Sequence, residues 1–235
     1  MQDKDSELKF YNKMFSEISD DGHFITHGYE DIYRRTVDKI DGGLALDVGC
    51  GTGKHSVNLS KKGFRTVAIE LSFKGVMAAK EHAKKEHAKV HFVVGDVENM
   101  PFKDNMFDVL FCGLLLHHFP ELTALSKEIA RVGKSHLFAL ETNAWEPMTF
   151  FKFNVVNPIF NPGFMTPNQR ALFPWKVRQL FEKQGFSRFE FSWIDAHVPY
   201  GGIIGRLTKA YTALMVMFPE KFRCNKFIMS CMKAG

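Results

Sequence analysis

The chain reads Leu-Ala-Leu-Asp-Val-Gly-Cys-Gly-Thr-Gly-Lys from Leu44 to Lys54, so a short apolar run leads directly into three closely spaced glycines. The run from Leu44 to Val48 has the length and composition of a buried strand. Glycine adopts backbone angles forbidden to other residues and lets a ligand approach the main chain closely. A helical pattern follows, and the first turn of a helix has unpaired N–H groups. The segment therefore predicts a nucleotide-like ligand at the end of a buried strand.

Apolar runs of strand length recur along the chain and alternate with helical patterns. The predicted strands are Leu44 to Val48, Thr66 to Ile69, Val90 to Val94, Phe107 to Gly113 and His136 to Leu140, and the predicted helices are Thr52 to Lys62, Phe73 to His87 and Pro120 to Val132. Such a series implies right-handed crossovers and a parallel sheet. Arg188 to Ile194 and Lys226 to Met232 would complete it at an antiparallel edge. We therefore predict an α/β fold, a Rossmann-like, doubly wound, seven-stranded, mostly parallel sheet with helices on both faces.

The chain has the size and composition of one globular domain. Its 235 residues include 45% hydrophobic and 24% charged side chains, which excludes disordered, collagen-like and coiled-coil classes. We expect a single domain over 1–235, with a helical lid over 1–40, a cofactor-binding core over 41–142, and substrate-side insertions at 143–174 and 195–225. Within the lid, Ser6 to Ile18 is predicted as a helix. The first insertion is rich in proline and aromatic residues and is predicted to be irregular.

Positive charge is concentrated near the C-terminus. The net charge is +5, and the segment from His197 onward contains six basic residues but a single acidic residue, Glu220. Together with the apolar residues 213–218, this region predicts peripheral contact with a membrane or another anionic surface. No apolar run approaches the roughly 20 residues that span a bilayer, and the first residues lack an apolar signal region, so we expect a cytoplasmic protein. The four cysteines show no metal-ligand spacing, so buried, reduced thiols and no metal site are predicted.

The spacing of the glycines restricts the class of ligand. Gly49-x-Gly51-x-Gly53 differs from the G-x-G-x-x-G of dinucleotide-binding proteins, in which position 54 would be glycine rather than Lys54. Asp47 stands just before the glycines, where a carboxylate would repel a pyrophosphate and attract an ammonium group. The head of the ligand is therefore expected to be cationic.

Two further acids follow the second and third predicted strands. Glu70 is placed to accept the hydroxyl protons of a ribose, and Asp96 to accept from the amino group of an adenine. These acids favour an adenosine without phosphates. An NAD-dependent oxidoreductase is the competing class, and it would need a glycine near position 54 and room for a pyrophosphate.

Four motifs agree in order and spacing along the core. They are Leu46 to Gly53, the acid Glu70, Gly95-Asp96 with Met100-Pro101-Phe102, and Phe107-Asp108-Val109 followed by Leu116 to Phe119. Together they resemble the class I S-adenosylmethionine-dependent methyltransferases, and more narrowly the type 11 group that includes enzymes of ubiquinone and menaquinone biosynthesis. The resemblance covers roughly residues 43–140. It implies S-adenosylmethionine as cofactor and methyl transfer as the activity.

The same resemblance implies roles for individual residues. The cofactor contacts that it implies are Gly49, Gly51 and Gly53 at the methionine portion, Asp47 at its ammonium group, Glu70 at the ribose, and Asp96, the Val97 amide and Leu71 at the adenine. Cys50 would pack beneath the ligand, Gly113 would border the site where the fourth strand ends, and Tyr11 is the candidate for an aromatic lid.

Methyl transfer from a sulfonium is an in-line displacement that depends mainly on positioning and on exclusion of water. His117 and His118 follow the fourth strand, near where the methyl group would point. Either is a candidate base or acceptor contact, and a loop histidine bonded to the backbone is the alternative interpretation. Glu141 and Asn143, at the end of the fifth strand, are further polar candidates that could equally cap local backbone.

The acceptor is expected to be small and apolar or aromatic, such as a lipid-like molecule. The first insertion carries Phe150, Phe151, Phe153, Phe160 and Phe164, which would suit such a lining. The segment after the fourth strand lacks the (D/N/S)-P-P-(Y/F/W) signature of amino methyltransferases, which makes nucleic acid an unfavoured target. An RNA or protein methyltransferase and a non-catalytic adenosylmethionine-binding module are the alternatives, and the sequence leaves the oligomeric state open.

Overall fold

A computed structural model describes residues 4–17, 33–34, 36–160, 166, 168–195 and 202–234. Ile18 and Phe164, named in the sequence analysis, lie outside these ranges, and the predicted lid and second insertion are described only in part.

The described residues form one seven-stranded sheet in the order β3-β2-β1-β4-β5-β7-β6. Its strands are β1 (Leu44–Val48), β2 (Arg65–Glu70), β3 (Val90–Val94), β4 (Phe107–Gly113), β5 (Gly133–Thr142), β6 (Phe186–Ile194) and β7 (Lys226–Lys233). The first five are parallel, and β7 is antiparallel to both β5 and β6. The predicted Rossmann-like, mostly parallel sheet with an antiparallel edge is therefore confirmed.

Helices connect and cover these strands. They are α1 (Lys4–Glu17), α2 (Lys54–Lys61), α3 (Phe73–Lys85), α4 (Thr123–Val132), α5 (Pro147–Phe151), α6 (Asn157–Phe160), α7 (Pro174–Glu182), α8 (Gly202–Met215) and α9 (Glu220–Arg223). Short 3₁₀ turns occupy Val37–Lys39 and Leu116–His118, and a π-helical turn at Lys152–Val156 joins α5 to α6.

Alternate residues of the central strands pack on opposite faces of the sheet. Leu46 of β1 and Leu110 of β4 belong to the apolar cluster that includes residues of α4 and α7. Ala45 and Val109, their neighbours along each strand, belong to a second cluster that includes Leu59 of α2. Because side chains alternate along a strand, apolar residues at every position bury both faces, which requires helices on both.

The first insertion differs from its prediction, because residues 147–160 are helical rather than irregular. Glu146 caps α5, with its carboxylate accepting from the main-chain N–H groups of Met148 at 3.1 Å and Thr149 at 2.6 Å. Pro147 is the first helical residue, where a missing N–H is tolerated. The prediction treated proline as a helix breaker, whereas an acid followed by proline is typical of a helix start.

Parallel strands bring their C-terminal ends to one edge of the sheet, and the loops that carry the predicted site meet there. Ser72 caps α3 by accepting from the Gly75 N–H at 3.0 Å, and this helix begins three residues after the end of β2.

All four cysteines are buried free thiols, as predicted.

Gly113→Ala tests the packing at the end of β4. A Cβ at position 113 would lie 2.5 Å from His55 Cδ2, a ring hydrogen-bonded through Nδ1 to the buried Tyr33 hydroxyl. The substitution should lower the free energy of unfolding by about 1–3 kcal/mol, as overpacked cores do. Urea denaturation measures it, and in a His55→Ala background most of the loss should disappear. An equal loss in both backgrounds would contradict this contact.

Candidate active site

The three positions of the loop require glycine for different structural reasons. All have positive φ angles of 52–76°. A Cβ at Gly49 would lie 2.5 Å from Leu115 Cδ1, and one at Gly53 would lie 2.9 Å from Ala79 Cβ. At Gly51 the nearest atom is Phe15 Cζ of α1, 3.9 Å away. Two of the glycines are thus required by packing, and Gly51 faces the space between the loop and α1.

Asp47 is buried behind this loop with only part of its carboxylate satisfied. The Ser56 hydroxyl donates to Oδ2 at 2.5 Å, whereas Oδ1 has no hydrogen-bond partner among the described residues. Burial, together with the nearby Glu70, raises the pKa of Asp47 to about 7, and the hydrogen bonds from Ser56 oppose this shift. A buried carboxylate oxygen without a donor is strongly unfavourable. It is therefore suited to a cationic ligand, and this fits the predicted ammonium contact.

Glu70 is the last residue of β2, and its carboxylate accepts hydrogen bonds from two main-chain N–H groups. Oε2 accepts from Gly51 N–H at 3.1 Å, and Oε1 accepts from Ser72 N–H at 2.9 Å. Burial raises the pKa of this carboxyl, and the amide hydrogen bonds oppose the shift. The carboxylate thus ties the glycine loop to the start of α3, at the place from which it was predicted to bind a ribose.

Asp96, after β3, is bonded to the N-terminal helix. Lys4 Nζ of α1 donates to Oδ2 at 2.6 Å, and the Glu98 N–H donates to Oδ1 at 2.9 Å. Lys4 also forms an ion pair with Glu98 at 2.6 Å. A protein cation therefore contacts the acid that was predicted to accept from the adenine.

The other predicted cofactor residues occupy mixed environments. Val97 is buried in the core cluster, so its amide, rather than its side chain, is the group suited to a ligand. Leu71 is half-buried directly after β2. Cys50 packs with Ala68 and Ala79, and burial raises the pKa of its thiol, which agrees with a packing role. For Gly113 the His55 contact accounts for the glycine, and its place at the cofactor stays a prediction.

The N-terminal helix runs across all these groups. Besides the Lys4 contact near β3, Asn12 Oδ1 accepts from the Ser72 hydroxyl at 2.6 Å, and Phe15 approaches Gly51. Farther across, the Tyr11 hydroxyl lies 3.0 Å from His118 Nε2, beyond the end of β4. This helix therefore covers the carboxyl edge of the sheet from Asp96 to His118. The sequence predicted a helical lid in this part of the chain and named Tyr11 as its aromatic residue, but it did not identify the contacts of Lys4, Asn12 and Phe15.

His118 is held by residues from two distant segments. Glu7 Oε2 of α1 lies 3.4 Å from Nδ1, and Gln169 Nε2 donates to the Tyr11 hydroxyl at 3.2 Å. Burial lowers the pKa of His118, followed by the effect of His117, while Glu7 opposes the shift. The sequence analysis missed Glu7 and Gln169, because an acid in a terminal helix and a glutamine in a loop are normally solvated. Glu7 is 4% exposed here.

His117 forms a buried pair with Glu141. Its Nδ1 lies 2.7 Å from Glu141 Oε2, while Oε1 accepts from the N–H groups of Leu115 at 2.9 Å and Leu116 at 2.6 Å. Burial lowers the pKa of His117 to about 3, so its ring is neutral at pH 7. Burial raises the pKa of Glu141 to about 8, and the Leu116 amide opposes that shift most. Glu141 thus fixes both the 3₁₀ turn and the imidazole.

Asn143, the other polar candidate on this edge, has a structural role. Its side-chain amide donates to the carbonyls of Lys221 at 2.8 Å and Cys224 at 2.7 Å, and its carbonyl accepts from the Trp145 N–H. It therefore joins the end of β5 to the segment before β7.

Comparisons with known proteins identify the family. A family profile described as a methyltransferase domain matches residues 46–137. The demethylmenaquinone methyltransferase of Staphylococcus haemolyticus is 31% identical over 202 residues, which are 77% of this chain and 82% of the relative. That of Staphylococcus saprophyticus is 33% identical over 170 residues, covering 62% and 71% respectively.

Solved structures share the fold at low sequence identity. An S-adenosylmethionine-dependent methyltransferase of Thermotoga maritima has a TM-score of 0.64 at 16% identity, covering 97% of this chain and 99% of its own. The magnesium protoporphyrin IX methyltransferase of Synechocystis, solved with bound S-adenosylhomocysteine, has a TM-score of 0.59 at 15% identity, covering 98% and 84%. At these identities the likeness establishes the fold alone.

The strand order, the glycine loop and the matching family profile define a class I S-adenosylmethionine-dependent methyltransferase. With a relative 31% identical over most of its length, the chain belongs to the type 11 family of these enzymes. The predicted class, activity and cofactor are thereby confirmed. The contacts assigned to individual residues stay predictions, as does the role of Tyr11 as a lid.

Asp47→Asn tests the proposed ammonium contact. Loss of a charge-assisted hydrogen bond of about 1.5–3 kcal/mol should weaken S-adenosylhomocysteine binding about 10- to 150-fold. Isothermal titration calorimetry measures the affinity. Asp104→Asn is the matched control, since that side chain is 70% exposed on the surface, and its affinity should equal that of the unmodified enzyme. Equal affinity in Asp47→Asn would remove the contact.

Proposed function

We propose that the enzyme methylates a small, hydrophobic, quinol-like acceptor. The observation that carries the proposal is the buried Glu141–His117 pair, which lies beside Phe153 of the π-helical turn with ring centroids 6.2 Å apart. A quinol presents an aromatic ring to Phe153 and a hydroxyl proton to the imidazole. Two relatives named demethylmenaquinone methyltransferase support this acceptor class.

His117 is the proposed base. Glu141 holds Nδ1, which fixes the ring and leaves Nε2 to take a proton from the acceptor hydroxyl. Burial lowers the pKa of His117, so the imidazole is neutral before the reaction and needs Glu141 to stabilise its protonated form. The carboxylate then stabilises the imidazolium, as an acid does when it orients a catalytic histidine. When bound, S-adenosylmethionine supplies an electrophilic methyl group on sulfur.

The N-terminal helix α1 is the proposed lid. Groups predicted to hold the cofactor are bonded to the protein itself in this conformation, Glu70 to main-chain amides and Asp96 to Lys4. Binding of an adenosine would exchange these hydrogen bonds and shift α1. Its return over the cleft would exclude water from the transfer.

Assays with defined acceptors test the acceptor class. With labelled S-adenosylmethionine, a short-chain naphthoquinol should be methylated, and simple catechols, fatty acyl compounds, unmodified transfer RNA and bulk protein should not. Methylation of RNA or protein alone would overturn the proposal. Cofactor binding without methylation of any of these would identify a non-catalytic binding module.

His117→Ala tests the base. It should lower kcat by about 10²–10⁴, the range of general-base catalysis, while S-adenosylhomocysteine affinity stays within about twofold. His118→Ala is the matched control, because that ring contacts the lid, and its kcat should fall less. Glu141→Gln keeps the hydrogen bonds to the turn but removes the titratable carboxyl group, so it should shift the pH profile of kcat. Unchanged turnover in both histidine variants would remove the base assignment.

A further inference from the structure

Helix α8 presents apolar side chains on the side facing away from the protein. Leu207 is 67% exposed and Leu214 57% exposed, and Met217, just beyond the helix, is 83% exposed. These positions are seven and three residues apart, so they follow one face of the helix. Met215, on another face, is 7% exposed and packs inward. The helix therefore has a second apolar face that the described part of the chain leaves in solvent.

This face continues into the residues that follow the helix. Val216, Phe218 and Phe222 are 64%, 48% and 36% exposed. Single exposed apolar residues are common on soluble proteins, whereas a contiguous group of large ones marks an interaction site. Consecutive exposure of 216–218 next to the outward face of α8 is such a group.

Cationic residues occur in the same segment as these apolar residues. Arg206 and Lys209 are exposed on α8, and Lys221 lies on α9 with its ammonium 5.0 Å from the Phe222 ring. Arg223 forms an ion pair at 3.2 Å with Glu220, the single acidic residue of the sequence after His197. The net charge of the region is therefore positive.

We propose that this part of the molecule, the α8–α9 surface, docks on the interface of an anionic lipid membrane. It comprises the apolar Leu207, Leu214, Val216, Met217 and Phe218 and the cationic Arg206, Lys209, Lys221 and Arg223. An amphipathic helix with basic residues beside an apolar face lies in the headgroup region of a bilayer and does not cross it. Accordingly, among the described helices none has the length and hydropathy to span a membrane.

A lipid surface accounts for both halves of this pattern. Nucleic acid would use the cations and leave the aliphatic side chains in water, and a second copy of the chain would bring like charges together. Anionic headgroups neutralise the cations while the acyl boundary buries the apolar residues.

The docking surface is connected to the acceptor side of the active site. The Tyr211 hydroxyl of α8 donates to Glu146, the residue that caps α5. That helix leads into the π-helical turn, where Phe153 lies beside His117. Membrane docking goes beyond the proposed function. It would let an acceptor dissolved in the bilayer reach His117 from the docked side.

Vesicle sedimentation of the full chain tests this inference. Phosphatidylcholine vesicles containing phosphatidylglycerol should sediment the protein, pure phosphatidylcholine should do so much more weakly, and high salt should reduce the difference. Leu214→Ser/Met217→Ser should weaken binding at least about tenfold. Arg206→Gln/Lys209→Gln should weaken it about fivefold for each cation removed.

Matched controls lie on α3, which carries exposed residues of the same types. Met77→Ser and Lys80→Gln/Lys84→Gln should leave vesicle binding unchanged. Binding of S-adenosylhomocysteine shows that each variant is folded, and methylation of a water-soluble acceptor without vesicles reports the proposed function separately. Absence of sedimentation, or equal sedimentation of all variants, would overturn the proposal. So would a dimer in analytical ultracentrifugation that Leu214→Ser/Met217→Ser abolishes.

Discussion

Burial of carboxylates at the carboxyl edge of the sheet is the constraint on which this site depends. Asp47, Glu70 and Glu141 lie at or near the ends of β1, β2 and β5, and buried acids are unfavourable unless hydrogen bonds stabilise them. The donors that do so are the Ser56 hydroxyl and the main-chain amides of Gly51, Ser72, Leu115 and Leu116. The starts of α2 and α3 and the 3₁₀ turn are thereby tied to the sheet edge.

The acids at this edge of the sheet differ in how fully their oxygens are hydrogen-bonded. Glu141 is fully engaged by the 3₁₀ turn and His117, so it acts by positioning. Asp47 retains a buried oxygen without a donor among the described residues, and Asp96 is bonded to Lys4 of the N-terminal helix. Binding of a cationic adenosine would replace such contacts at little net loss of hydrogen bonds.

In the proposed function, a hydrogen bond links the α8–α9 surface to the helix that leads to the acceptor side. Tyr211 and Glu146 connect the helix that carries the exposed apolar face to the helix that leads to Phe153. An enzyme acting on a hydrophobic quinol must take its acceptor from a bilayer, because such molecules dissolve poorly in water. Docking through shallow contacts would place the site at that interface.

The strands, the glycine loop and the sheet edge that carries Asp47, Glu70 and Asp96 were predictable from the amino-acid sequence. These features follow from local periodicity and spacing, and β1, β3 and β4 have the predicted bounds. The folded chain was needed to show that Glu7 and Gln169 reach His118, that Leu115 and Ala79 require two of the glycines, and that residues 147–160 are helical. The physical reason is that periodicity encodes which face of an element is buried, whereas the partner of a buried polar group belongs to a segment far away in the chain, and only packing brings the two together.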